Sequence, residues 1–185
     1  MASKTHKTAV VVIPSAEVWP PIQAIRRKHD RQVRRWMPHV TLLYPFRPAA
    51  EFDAVSAELA RVCVGFRAFE MELATFHLFE HSRRSATIWL APEPGDAVRD
   101  LQTRLWETVP DCDELRRFPD GFTPHLSVGQ ARGTQQARRL IDRWRSTWVP
   151  LRFPVRAMAL IWRDKPPDDV FRVAKTIPLG ARDQP

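Results

Sequence analysis

Apolar positions change period several times along the chain, and each change marks an element. Lys7 to Pro14 (KTAVVVIP) is a β-branched run closed by proline, which predicts a buried strand. Ser15 offers an N-cap, and Pro20 and Pro21 suit a first helical turn. Ile22, Ile25, Val33 and Trp36 then recur on roughly one helical face, with arginines opposite. Pro38 ends that helix, because the residue before a proline is pushed toward extended geometry, and residues 39–46 (HVTLLYPF) read as a second strand. Phe52, Val55, Leu59 and Val62 place a helix over 51–64, with Gly65 as its C-cap. Alternation at Phe69, Met71 and Leu73, a polar turn at 81–85 and an apolar run over 86–91 predict an antiparallel hairpin. Val98, Leu101, Leu105 and Val109 mark a third helix, and residues 122–129 another strand. A helix over 134–148 turns Leu140, Ile141, Trp144 and Trp148 inward. Segments 151–162 and 170–179 close the chain as a hairpin. Hairpins predominate over βαβ units, so the fold class is α+β.

Two segments resemble each other: Pro38-His39-Val40-Thr41-Leu42 and Pro124-His125-Leu126-Ser127-Val128. Both read Pro-His-apolar-hydroxyl-apolar on a predicted strand, and they lie 86 residues apart, close to half the chain. The duplication predicts a bilobal molecule: two pseudo-twofold-related lobes of antiparallel-rich sheet, helices outside, and a central cleft. Strand period two puts His39 with Thr41, and His125 with Ser127, on one face, while Val40, Leu42, Leu126 and Val128 point into the cores. A histidine–hydroxyl pair facing a dry interior is costly, whereas facing a cleft it donates hydrogen bonds to an anion. Gly129, two after Ser127, is expected to leave that face open.

Two histidines across one phosphate suit general acid–base catalysis, one neutral and accepting a proton, the other charged and donating one. At a 2′,3′-cyclic phosphate the base activates water and the acid protonates the departing ribose oxygen. In reverse, a 5′-hydroxyl attacks the cyclic phosphate and forms a 2′–5′ linkage. Thr41 and Ser127 stabilise the phosphate oxygens. The alternative is a non-catalytic nucleotide- or RNA-binding module that retains the cleft. A metal-dependent hydrolase lacks its signatures, with no HExxH, HxH or clustered carboxylates, so neither a metal nor another cofactor is expected.

Composition adds limits. At 185 residues, 44% hydrophobic and 27% charged, the chain fits one globular domain with the two motifs in its lobes. No apolar run reaches membrane length, no stretch near the start suits a signal peptide, and Cys63 and Cys112 form no disulfide framework. A cytoplasmic protein without membrane or obligate protein partner is the expectation. The net charge of +8 points to anionic ligands only weakly, because 24 arginines stand against 5 lysines, a bias that GC-rich coding produces by itself. Arginine pairs such as Arg26-Arg27, Arg34-Arg35 and Arg83-Arg84 read as solvated faces. Tyr44, Phe46 and Phe171 are the candidates for stacking on a base, and Arg132 is the cation nearest the second motif. His77 and His81 read as structural, His6 and His29 as exposed, and Phe52, Trp89, Trp144 and Trp148 as core.

The paired His-x-[Ser/Thr]-apolar motifs, in their HVTLLYPF and HLSVGQ contexts, resemble those of the 2H phosphoesterase superfamily, which includes the 2′–5′ RNA ligase-like and cyclic phosphodiesterase proteins. The resemblance runs from Val10 to Leu179. It implies catalytic His39 and His125, phosphate-binding Thr41 and Ser127, a bilobal fold with a pseudo-twofold cleft, and activity on nucleotides or RNA ends independent of metal and ATP.

Overall fold

The computed structural model describes residues 3–180; residues 1–2 and 181–185 lie outside it. Eight strands, β1 (Thr8–Val12), β2 (Val40–Leu43), β3 (Phe69–Ser82), β4 (Ser85–Glu93), β5 (Leu126–Ala131), β6 (Leu151–Val155), β7 (Ala157–Trp162) and β8 (Arg172–Pro178), form two antiparallel sheets. Their orders are β2-β1-β7-β8 and β5-β4-β3-β6. Four helices complete the α+β fold: α1 (Trp19–His29), α2 (Phe52–Val64), α3 (Gly95–Thr108) and α4 (Thr134–Arg145).

The two sheets repeat one plan. Each motif strand, β2 or β5, is an edge strand paired antiparallel with the strand that precedes it across a helix. β2 and β5 approach one another, and α1, which leads into β2, packs against β5. A single core runs under both sheets. Val10, Val12, Val40 and Leu42 of the first sheet join Ile88, Leu90, Leu126 and Val128 of the second, together with helix residues such as Ile22, Leu59, Leu101 and Ile141. A smaller cluster of Ala9, Val11, Ala159, Ile161 and Phe171 lies on the opposite face of the first sheet, under Trp36, Met37 and Tyr44.

Three expectations need correction. The strand expected over 151–162 is two strands in different sheets: Val155 pairs with Phe69, Arg156 breaks the ladder, and Ala159 pairs with Val11. A continuous apolar run carries no mark of which sheet each half joins. Secondly, α1 ends at His29, well before Pro38. Asp30 is extended, its Oδ1 accepts the Gln32 amide N–H at 2.8 Å, and its Oδ2 accepts from Arg26 Nε at 2.8 Å. Arg26 is thereby only 2% exposed, a buried ion pair rather than part of a solvated face, and its Nη2 also donates to Trp36 O at 2.8 Å. This holds the chain after α1 folded back over the first sheet. Thirdly, Ser15 makes no cap bond; a short 3-10 turn over Ala16–Val18 precedes α1, whose first turn does carry the two prolines.

Gly65 follows α2 as expected, its N–H bonding Val62 O at 3.2 Å. No helix among the described residues is long and apolar enough to cross a membrane.

Candidate active site

Pro38 and Pro124 are buried, and each delivers a histidine one residue before its strand begins. Both histidines are partly buried and use the same local lock. His39 Nδ1 lies 2.7 Å from Met37 O, and His125 Nδ1 lies 2.9 Å from Thr123 O. A carbonyl only accepts, so each Nδ1 carries a hydrogen and donates it to the residue two positions upstream. Each Nε2 is left as the ring nitrogen able to exchange a proton, accepting one when the ring is neutral and giving one when it is charged.

Cross-strand register fixes which face each motif presents. Thr41 pairs with Val11, on the sheet face of the smaller cluster, away from the main core. Ser127 pairs with Trp89, which pairs in turn with His77, again on the face opposite the core. Val40, Leu42, Leu126 and Val128 are fully buried, as the period of two requires.

Each histidine is backed by aromatic rings. Trp36 stacks on His39 at 4.6 Å and 17°, and is itself stacked on Phe171 at 3.8 Å. Phe79 meets His125 edge-on at 5.0 Å, while Trp89, 6.0 Å from His125, is stacked on both His77 and Phe79 at 4.8 Å. The Trp36 segment is anchored by Asp169, only 1% exposed, whose carboxylate pairs with Arg34 and accepts from Arg35 Nε at 2.7 Å. Phe171 N–H closes the clamp on Arg35 O at 2.8 Å.

Burial pushes the His39 imidazole down from 6.5 to about 4, helped by the Arg26 guanidinium and by His125, and opposed by the Met37 carbonyl and Asp30. Burial also lowers His125, against the pull of the Thr123 carbonyl. Each imidazole therefore rests neutral at pH 7. A charge on His125 disfavours a charge on His39.

The remaining sequence candidates separate. Tyr44 is partly buried at the rim, edge-on to Trp36 at 5.5 Å, with its hydroxyl donating to His6 O at 3.3 Å. Phe46 is fully buried in the main core, and is no stacking surface: its backbone bridges to Thr5, which turns the ring inward. Phe171 is 3% exposed and spends its face on Trp36, so it supports a roof rather than a base. Arg132 lies beyond the end of β5 in a separate groove, among Arg31, Arg84 and Gln130, not at the motif. Gly129 leaves no opening; a Cβ there would sit 2.8 Å from His29 Cβ, because α1 crosses β5 at that point. Trp36 and Trp89 line the histidines, although apolar spacing placed one on a helix and the other in the core. Among the described residues no three His, Cys, Asp or Glu side chains gather as a metal-holding group.

Two mirrored His-x-hydroxyl motifs, delivered by the edge strands of two antiparallel sheets, define the class as a 2H phosphoesterase. The chain belongs to the 2′-5′ RNA ligase superfamily, whose family model matches residues 14–167. It is 25% identical over 126 residues to a Geobacillus kaustophilus protein provisionally named a phosphoesterase, GK0864, covering 67% of this chain and 69% of that one. In fold it is similar to TT0787 of Thermus thermophilus, with TM-score 0.63, 23% identity, and 95% and 99% of the two chains covered. It is likewise similar to Escherichia coli LigT crystallised with 3′-AMP, with TM-score 0.62, 19% identity, and 96% and 99% covered.

Proposed function

We propose that the protein is a metal-independent phosphodiesterase that opens 2′,3′-cyclic or 2′–5′ phosphodiesters of nucleotides or RNA ends, with His39 and His125 as the acid–base pair. The observation that carries this reading is the shared lock on the two imidazoles, each Nδ1–H given to the carbonyl two residues upstream and each Nε2 without a hydrogen-bond partner among the described residues. Structural histidines buried for packing have no reason to repeat one tautomer in both halves of a molecule.

In this reading His39 takes the base role, which the Arg26 guanidinium favours by opposing a charged ring there, and His125 takes the acid role. His39 Nε2 takes a proton from water as its oxygen attacks phosphorus. The bond from phosphorus to one ribose oxygen breaks, and His125 Nε2–H gives that oxygen its proton. The product is a ribose phosphomonoester, and the proton later returns from His39 to His125 through solvent. Thr41 and Ser127 donate to the non-bridging oxygens as charge builds. The anionic phosphate raises the pKa of His125 on binding, which supplies the charged acid that the free protein lacks at neutral pH. With a 5′-hydroxyl in place of water, His39 takes its proton as it attacks the cyclic phosphate, the bond from phosphorus to the 3′ oxygen breaks, His125 protonates that oxygen, and two RNA ends are joined through a 2′–5′ bond. The nucleotide that occupies LigT in its 3′-AMP complex supports a nucleotide ligand here.

The test is incubation with 2′,3′-cyclic nucleotides in EDTA, with the products separated as 2′- and 3′-monophosphates. One monophosphate in excess is expected. Binding of the cyclic nucleotide without turnover, and without turnover of cyclic-phosphate-ended oligonucleotides, would leave the binding-module reading instead.

A further inference from the structure

Where β5 ends, three separate pieces of chain converge on a groove of about 480 Å³: the end of α1, the β3–β4 turn, and the start of α4. Two close backbone approaches build it. Gly129 admits the α1 terminus, since a Cβ would meet His29 Cβ at 2.8 Å and His29 O at 3.2 Å. Gly133, at φ +86°, admits the hairpin turn, since a Cβ would meet Arg83 O at 2.5 Å. The result sets Arg31, Arg84 and Arg132 around one opening, with Arg27 and Lys28 beside them. All five are exposed, and none makes an ion pair among the described residues, whereas Arg26, Arg34, Arg35 and Arg47 all do. The one acid in the lining, Asp30, is already taken by Arg26 Nε and by Gln130 Nε2 at 3.2 Å. Cations gathered without counterions repel one another, and the arrangement makes physical sense with an anion between them.

The groove is separate from the histidine site, and β5 runs from one to the other. A register shift between Ile88 and Trp89 lets Ser127 pair with Trp89 and Gln130 pair with Thr87, so Gln130 shares the motif face although it is three residues on. Gln130 Oε1 then accepts the Arg31 N–H at 2.9 Å, tying the groove floor to that face. From Ser127 to Gln130 is about 10 Å at the strand rise of ~3.3 Å per residue. Phe79 and Thr87 lie on the same face between the aromatic rings and the hairpin turn. A single strand leaving the histidines along this face arrives among the arginines within a few nucleotides.

We propose that this groove is a second phosphate site, which holds the backbone of a single RNA strand whose reacting end lies at His39 and His125. The inference rests on the phosphodiesterase reading for the identity of that end. A strand then gains three backbone contacts that a mononucleotide does not reach.

The experiment measures two quantities for the wild type, Arg84→Ala/Arg132→Ala, and Arg138→Ala/Arg139→Ala. The last pair makes the same change in net charge on exposed positions of α4 outside the groove lining. The first quantity is the salt dependence of binding to a labelled octanucleotide ending in a 3′-phosphate, which needs no turnover. The second is kcat/KM for a cyclic mononucleotide and for the octanucleotide ending in a cyclic phosphate. Three contacts give the wild type a log–log slope of about −2, or roughly 20-fold weaker binding between 50 and 200 mM salt. The Arg84/Arg132 variant is expected to lose about 1.4 of that slope and its preference for the octanucleotide, with mononucleotide turnover unchanged. The Arg138/Arg139 variant is expected to keep both. An unchanged slope in the first variant, or an equal loss in the second, would overturn the groove. Tighter binding of a fully paired hairpin of equal charge would overturn the single-strand assignment. Absence of turnover by the wild type, with the slope difference intact, would count against the phosphodiesterase reading and leave the groove standing.

Discussion

Replacing Trp36 with alanine strips the ring that stacks on His39, and its effect can be worked from the site. His39 is held at about 4 against an ordinary 6.5, and burial is the largest cause. That gap of roughly 2.5 units is worth about 3 kcal/mol between the two protonation states. At pH 7 it leaves about one His39 in a thousand protonated, against about a quarter at the ordinary value. In Trp36→Ala, water reaches the ring, and the midpoint is expected to climb by at least a full unit. In Trp36→Phe, which keeps a ring 4.6 Å from the imidazole, it moves far less. Titration of the histidine ring nitrogens by NMR reads the midpoint directly, and the spectrum verifies that each variant is folded. A wild-type midpoint near 6.5, or the same midpoint in Trp36→Ala, would refute the account of how this base is tuned.

Three further outcomes follow from the same geometry. Because both histidines are lowered in the free protein, kcat/KM on a cyclic nucleotide should peak below pH 6.5 and fall about tenfold from pH 7 to 8; a flat profile to pH 8 would contradict the pair. The lowered His39 costs nothing above pH 6.5, but its folded form resists protonation as pH falls toward 4, so up to about 3 kcal/mol of stability is lost across that window. Urea denaturation at pH 7 and 4.5 should show this loss, reduced in His39→Gln. Gly129→Ala forces a Cβ against His29 and should cost about 1 to 3 kcal/mol, read as a lowered Tm; an unchanged Tm would mean that α1 and β5 are not held so closely.

Much of the geometry of the candidate site was legible in the sequence because it follows the strand period of two. His39 with Thr41, and His125 with Ser127, face away from the buried Val40, Leu42, Leu126 and Val128 as the alternation requires. What was not legible depends on contacts between distant segments. Trp36 sits at helical spacing from Ile22, yet Asp30 stops α1 early by binding Arg26 and Gln32, and Asp169 then clamps the following segment over the first sheet. Trp89 sits inside a continuous apolar run that carries no mark of facing, and its alternation with the core residues Ile88 and Leu90 puts it on the motif face. Phe46 and Phe171 carry the same rings as any stacking residue, and only their burial disqualifies them. The arginine pairs look alike in the sequence. Arg26 is buried and Arg34 and Arg35 form the clamp, while Arg84 meets Arg132 at the groove across nearly fifty residues of chain.

The central claim is that two histidines, one from each half, move the protons of one phosphodiester hydrolysis. Its most direct test compares wild type, His39→Ala and His125→Ala on a 2′,3′-cyclic nucleotide in EDTA, with folding verified for each. Each substitution is expected to lower kcat at least a hundredfold, since general acid–base groups supply about 10² to 10⁴. Turnover that survives either substitution would contradict the two-histidine mechanism.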